Sequence, residues 1–82
     1  MTTRTQPLAD QLLALLTAEY EAPEDTTPET RFDMLGFDSL VLVEVAVAIG
    51  QRYGITVTDE ELHEAGNVAG TVALLESKGL HA

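Results

Sequence analysis

The sequence predicts an all-α fold, a small helical bundle of three main helices plus one short helix, with a long first loop. Three observations support this class. Apolar residues recur at helical spacing in three separate stretches, and capping residues and glycines stand where those stretches should begin and end. The third is that no two segments alternate in the way a pair of strands would need. At 82 residues the chain is expected to form a single domain over 1–82, near the size where one core supplies only a few kcal/mol. A hydrophobic fraction of 45% is enough for a compact core and argues against disorder.

Residues 1–6 are polar and read as a frayed lead-in. From Pro7 to about Tyr20, Leu8, Leu12, Leu15 and Leu16 share one face, with Asp10, Thr17 and Glu21 opposite. Proline suits a first turn, where its missing N–H costs nothing. Glu21 to Asp38 is a long polar connection containing Pro23 and Pro28. Compact domains seldom keep such a loop without a reason. Phe32, Met34, Leu35 and Phe37 are expected to pin its end to the core, with a short helical turn around Arg31 to Met34.

The run Val41 to Ile49 is rich in β-branched residues and would score as strand on propensity alone. Ser39 to Tyr53 is long for a strand, however, and lacks a partner. Asp38 can serve as its N-cap and Gly54 as its C-terminal stop. Wound as a helix, the segment shows two apolar stripes. Leu42, Val45, Ala46, Ile49 and Tyr53 form one, assigned to the core. Leu40, Val43 and Val47 form another, bordered by Ser39, Glu44 and Gln51, which the core does not need. Ile55-Thr56-Val57 reads as a short apolar anchor. Thr58-Asp59-Glu60-Glu61 reads as a capping box opening a brief helix, Asp59 to about Ala65. Gly66-Asn67 breaks it, Asn67 caps the last helix, and Val68, Val72 and Leu75 are its expected inward stripe, with Lys78 and Gly79 ending it.

Composition removes several functions. Fourteen acidic residues against four basic ones give a net charge of −10, which disfavours nucleic acid and anionic membranes and suits basic protein partners or solubility alone. The absence of cysteine excludes disulfides and thiolate metal sites, so any thiol chemistry must come from an added group, and it fits a reducing compartment, the cytoplasm. No signal peptide or membrane-length apolar run is present. His63 and His81 are the only histidines, and neither has the neighbours of a general base. There is no glycine-rich phosphate loop, zinc pair or calcium loop, and the acids Asp59, Glu60, Glu61 and Glu64 read as a solvated helix face. No enzymatic activity and no metal site are expected.

Leu35-Gly36-Phe37-Asp38-Ser39-Leu40 brings one serine to the start of a helix, where free N–H groups and the positive macrodipole end favour a phosphate ester. Gly-Phe-Asp-Ser-Leu in this setting resembles the attachment motif of acyl carrier proteins, and the helix, long loop, motif helix, short helix and final helix match that family's layout. The resemblance implies that Ser39 receives 4′-phosphopantetheine from coenzyme A, placed by a phosphopantetheinyl transferase with magnesium. The thiol of that arm then holds acyl groups as thioesters for partner enzymes such as a ketosynthase, an acyltransferase or an adenylating ligase. Asp38 suits contact with a basic transferase, and equally a helix cap. Leu40, Val43, Glu44 and Val47, beside Ser39, are the expected partner-contact surface of a monomeric carrier.

Fatty-acid carriers of this family typically have an acidic second helix, whereas here Leu40-Val41 follow the serine, Gly50-Gln51-Arg52 close the helix and only Glu44 keeps a carboxylate in the middle. Peptidyl carriers more often have a glycine where Phe37 stands. The overall pattern resembles most the discrete carriers of bacterial polyketide pathways; a stand-alone protein fits it, with an excised domain of a megasynthase as the alternative. An aminoacyl or peptidyl carrier, and an unmodified acidic helical module that binds a partner, are the alternatives.

Overall fold

The computed structural model describes residues 7–80. Four helices follow one another: α1 (Leu8–Tyr20), α2 (Ser39–Tyr53), α3 (Asp59–Ala65) and α4 (Val68–Ser77). A 3-10 turn, Phe32–Leu35, interrupts the loop between α1 and α2. The expectations for residues 1–6 and for His81 lie outside the described residues.

The predicted periodicities become the core. Leu8, Leu12, Leu15 and Leu16 of α1 meet Leu42, Val45, Ala46 and Ile49 of α2, together with Phe32, Leu62, Val68 and Leu75. Tyr53 ends the α2 stripe half-buried, and its hydroxyl donates to Gln11 Oε1 at 2.8 Å, tying α2 to α1. Burial pushes the Tyr53 phenol above its usual value near 10.0. Val57 anchors the α2–α3 connection as a buried residue, with Ile55 packed beside it. The β-branched run is helical because tertiary burial of Val45 and Ile49 outweighs a propensity difference of tenths of a kcal/mol per residue.

Two assignments need correction. In α4 the buried residues are Val68, Thr71 and Leu75, and Val72 is only half-buried. Thr71 can occupy the interior because its Oγ1 donates to the Asn67 carbonyl at 2.8 Å, so its hydroxyl is not left unpaired. In the loop, Phe32 is buried and Leu35 and Phe37 pack at the core edge, but Met34 is 78% exposed and pins nothing. The 3-10 turn points it away from the interior that its neighbours fill.

The caps fall where the sequence placed them. Thr58 and Glu61 form a reciprocal capping box at α3, with Thr58 N–H to Glu61 Oε1 at 3.0 Å and Glu61 N–H to Thr58 Oγ1 at 3.1 Å. Asn67 Oδ1 accepts from Gly70 N–H at 2.7 Å at the start of α4. Gly70 is also where the α4 backbone passes close to the end of α3: a Cβ there would meet the Ala65 carbonyl oxygen and carbon.

That approach reverses the usual sign of a helix substitution. Gly→Ala in an exposed helix gains about 1 kcal/mol, whereas forcing a methyl into packed backbone costs about 1–3 kcal/mol. Gly70→Ala should therefore lower stability in urea unfolding. Ile49, 1% exposed, should cost about 2–5 kcal/mol when cut to alanine.

Candidate functional site

The loop that leads to Ser39 is fastened at several points. Ala69 N–H donates to the Pro28 carbonyl at 2.9 Å, and Phe32 N–H donates to the Gly66 carbonyl at 2.8 Å. Arg31 and Asn67 make an isolated antiparallel bridge. The same loop is stiffened locally by Arg31, whose Nε and second guanidinium nitrogen donate to the two carboxylate oxygens of Asp33 at 3.2 and 3.3 Å. That hydrogen-bonded guanidinium holds the Asp33 carboxyl below its usual value. Gly36 leaves the 3-10 turn with φ 75°, a left-handed backbone that glycine adopts without strain. Phe37 N–H then donates to the Phe32 carbonyl at 3.1 Å, and the two rings stack with centroids 6.2 Å apart.

This geometry delivers Asp38 and Ser39 to the start of α2. Asp38 is the N-cap, its Oδ1 accepting from Val41 N–H at 3.0 Å, and its carbonyl accepts the first helical bond from Leu42 at 3.0 Å. Ser39 is the first helical residue and is exposed. Its N–H and that of Leu40 precede the first helical bond, and Asp38 occupies only the next one. An exposed hydroxyl at the positive end of a 15-residue helix, with two first-turn N–H groups uncommitted, fits a phosphodiester.

The second apolar stripe stands free. Leu40 is 68% exposed, Val43 42% and Val47 54%, so the α1–α2 loop does not cover this face. Glu44 is exposed between them, and its backbone carbonyl accepts from the Tyr20 hydroxyl at 3.1 Å. Thus Asp38, Ser39, Leu40, Val43, Glu44 and Val47 form one surface running from the helix start along α2.

A cleft of about 550 Å³ opens on another side of Ser39, between α2 and α3. Ser39 and Leu42 form one wall, and Thr58, Asp59, Glu60, Glu61, His63 and Glu64 the other. Glu61 is held by Lys78, whose Nζ lies 3.0 Å from its Oε2. The Lys78 hydrogen bond, and then the Thr58 N–H, hold the Glu61 carboxyl below its usual value near 4.5. The sequence did not reveal that His63 shares a cleft with Ser39. Asp59, Glu60, His63 and Glu64 lie on one face of α3 by spacing, but which element that face meets is a tertiary fact.

Comparison with known proteins agrees with this arrangement. The family profile for the phosphopantetheine attachment site matches residues 10–75. Among curated proteins the chain is similar to the meromycolate extension acyl carrier protein of Mycolicibacterium aurum, 40% identical over 55 residues, covering 66% of this chain and 57% of that protein. It is also similar to an acyl carrier protein of Rhodococcus erythropolis, 35% identical over 65 residues, covering 76% of this chain and 71% of that protein. A mitochondrial acyl carrier protein of Dictyostelium discoideum is 39% identical over 49 residues, covering 60% of this chain and 41% of that protein. The chain spans about half the length of the meromycolate relatives it matches, 48% to 57% of each. It belongs to the phosphopantetheine attachment-site family of acyl carrier proteins. Membership makes the domain a carrier, not a catalyst, and 4′-phosphopantetheine its covalent prosthetic group.

Because the Glu61 carboxyl is depressed in the folded state, its contribution is present above its unfolded value and is lost as pH falls through the folded one. Wild-type melting temperature should fall between about pH 5 and 3, and Lys78→Met should make that part of the fall shallower. Thermal melts at successive pH values check this; parallel curves would remove Glu61–Lys78 as a contributor.

Proposed function

We propose that residues 1–82 form a single carrier domain that holds acyl intermediates as thioesters on a 4′-phosphopantetheine arm attached through Ser39 Oγ. The observation that carries this reading is the placement of an exposed serine at the first position of α2, its hydroxyl free of hydrogen bonds among the described residues. Attachment requires the hydroxyl to give up its proton and attack the coenzyme A pyrophosphate, displacing the nucleotide. The transferase supplies base and magnesium, so the reaction requires no general base from this domain beside Ser39. Asp38 orients the serine through the cap and leaves its carboxylate exposed for basic residues of that transferase. When bound, the arm supplies the thiol that a cysteine-free chain lacks.

The strip of Leu40, Val43 and Val47 is the docking surface in this reading, met by acyl-loading and acyl-processing enzymes such as a ketosynthase, acyltransferase or adenylating ligase. With Glu44 its one carboxylate, docking depends on apolar contact more than on charge. The same weakly charged α2 supports bacterial polyketide or related secondary-metabolite assembly, by a monomeric carrier in the cytoplasm, over housekeeping fatty-acid synthesis. A second reading, elongation of long fatty chains, is favoured by the 40% identity to meromycolate extension carriers. Mass spectrometry of cargo released from the protein in its native cells separates them: incompletely reduced, oxygen-bearing chains support the first, saturated hydrocarbon chains the second.

Incubation with coenzyme A and a transferase should add one arm per chain, and Ser39→Ala should abolish the gain in intact mass. Since Asp38, not Ser39, makes the cap bond, that substitution should change stability by no more than about 0.5 kcal/mol. Modification of a folded Ser39→Ala variant would move the arm elsewhere. Val43→Asp should impair turnover by partner enzymes more than Glu44→Gln, and moderate salt should weaken docking only modestly. Normal turnover by a folded Val43→Asp variant would remove the strip from the docking surface.

A further inference from the structure

Resting on the reading of Leu40, Val43 and Val47 as the docking strip, we infer that a groove beside Gly50, between α2 and the segment Ile55-Thr56-Val57, takes one apolar side chain of the acyl-processing enzyme that docks there.

The groove has a volume of about 440 Å³ and continues the strip, because the exposed Val47 belongs to both. Gly50 and Gln51 follow Val47 along α2, and Ile55, Thr56 and Val57 line the side formed by the segment after the helix. Its chemistry sets it apart in a chain of net charge −10. The clefts lined by Asp59 and Glu60, by Glu19 and Arg52, and by Glu64 and Leu74 each hold charged groups. The lining of this groove holds none. An uncharged recess gives an ion no partner in exchange for its water, whereas an apolar group gains by entering it. A second copy of the chain is a poor occupant, since it brings a further −10. An enzyme seated on the strip already covers Val47, and so reaches the groove without a separate docking event.

Gly50 is the residue that opens the recess. Within a helix glycine is less favourable than alanine, so its presence in α2 needs a reason. Packing supplies none. A Cβ at Gly70 would strike the Ala65 backbone, whereas the nearest atom to a Cβ at Gly50 is the Ile55 carbonyl oxygen at 3.4 Å, an ordinary contact. Alanine therefore fits the folded domain, and its methyl group would occupy groove instead of core. The position is also remote from the modified serine, about 16 Å along the helix at about 1.5 Å per residue. A group that fills the groove thus acts on binding of the enzyme rather than on its chemistry.

Ketosynthase kinetics on malonyl-loaded protein test this, with loading of each variant first confirmed by intact mass. With an elongating ketosynthase purified from the native cells, Gly50→Ala should raise KM about tenfold and leave kcat unchanged, the effect of one methyl group out of place in an apolar pocket. Its melting temperature should equal or exceed that of the parent. Thr56→Phe, at an exposed position of the groove, should raise KM likewise and decides the matter if Gly50→Ala does not fold. Arg52→Gln, in the same turn of α2 but outside the groove lining, should leave KM near the parental value. A parental KM in either folded groove variant, or an equal rise in Arg52→Gln, overturns the inference; if Val43→Asp still raises KM in that assay, the strip stands without the groove. A parental KM for folded Val43→Asp removes the strip and the inference together. Octanoyl-loaded protein, with no enzyme present, gives the remaining outcome by NMR: Gln51 and Thr56 amide signals displaced from those of unloaded protein would put cargo in the groove and overturn the inference, and unmoved signals support it.

Discussion

Phe32 is the residue on which the presentation of Ser39 depends. Its N–H donates to the Gly66 carbonyl at the α3–α4 turn, its carbonyl accepts from Phe37, and its ring is buried and stacked on Phe37. One residue, through both its backbone groups and its ring, thereby connects the far turn of the bundle to a point two residues before Ser39. Without that link, the segment from Glu21 to Asp38 could close over many lengths, because loop closure entropy varies only slowly with length. With it, the end of the loop that leads into α2 is tied to the α3–α4 turn.

The second constraint is the approach of α4 to α3. Gly70 lies against the Ala65 carbonyl, and α3 is further held by Glu61, which caps its own helix and pairs with Lys78 after α4. A seven-residue helix has little stability of its own. Its placement is therefore borrowed from these contacts and from Leu62, which is fully buried. The wall facing Ser39 is thus built from residues whose positions are decided elsewhere in the fold. Helix α2 serves both sides: its inner stripe closes the core, while its outer stripe stays exposed beside the serine.

Much of this was legible from residues alone. Periodicity located α1 and α2 because each buries a single stripe, and the caps at Asp38, Thr58 and Asn67 were legible because capping is a local bond between near neighbours. The same locality explains why Gly-Phe-Asp-Ser-Leu could be matched to a helix start. Val72 and Met34 were misplaced for the opposite reason. Apolar character says that a residue can be buried, but the packing of α4 places Thr71 inward and Val72 at the edge, and the 3-10 turn leaves Met34 in solvent.

The sequence by itself determined the helices, their ends, the position of Ser39 at a helix start and a surplus apolar stripe on α2, since all four follow from spacing and short-range hydrogen bonds. Only the tertiary structure decided that the loop leaves that stripe uncovered and that His63 and the acids of α3 share a cleft with Ser39. Those facts depend on how helices pack against one another, and packing joins residues with no regular separation along the chain.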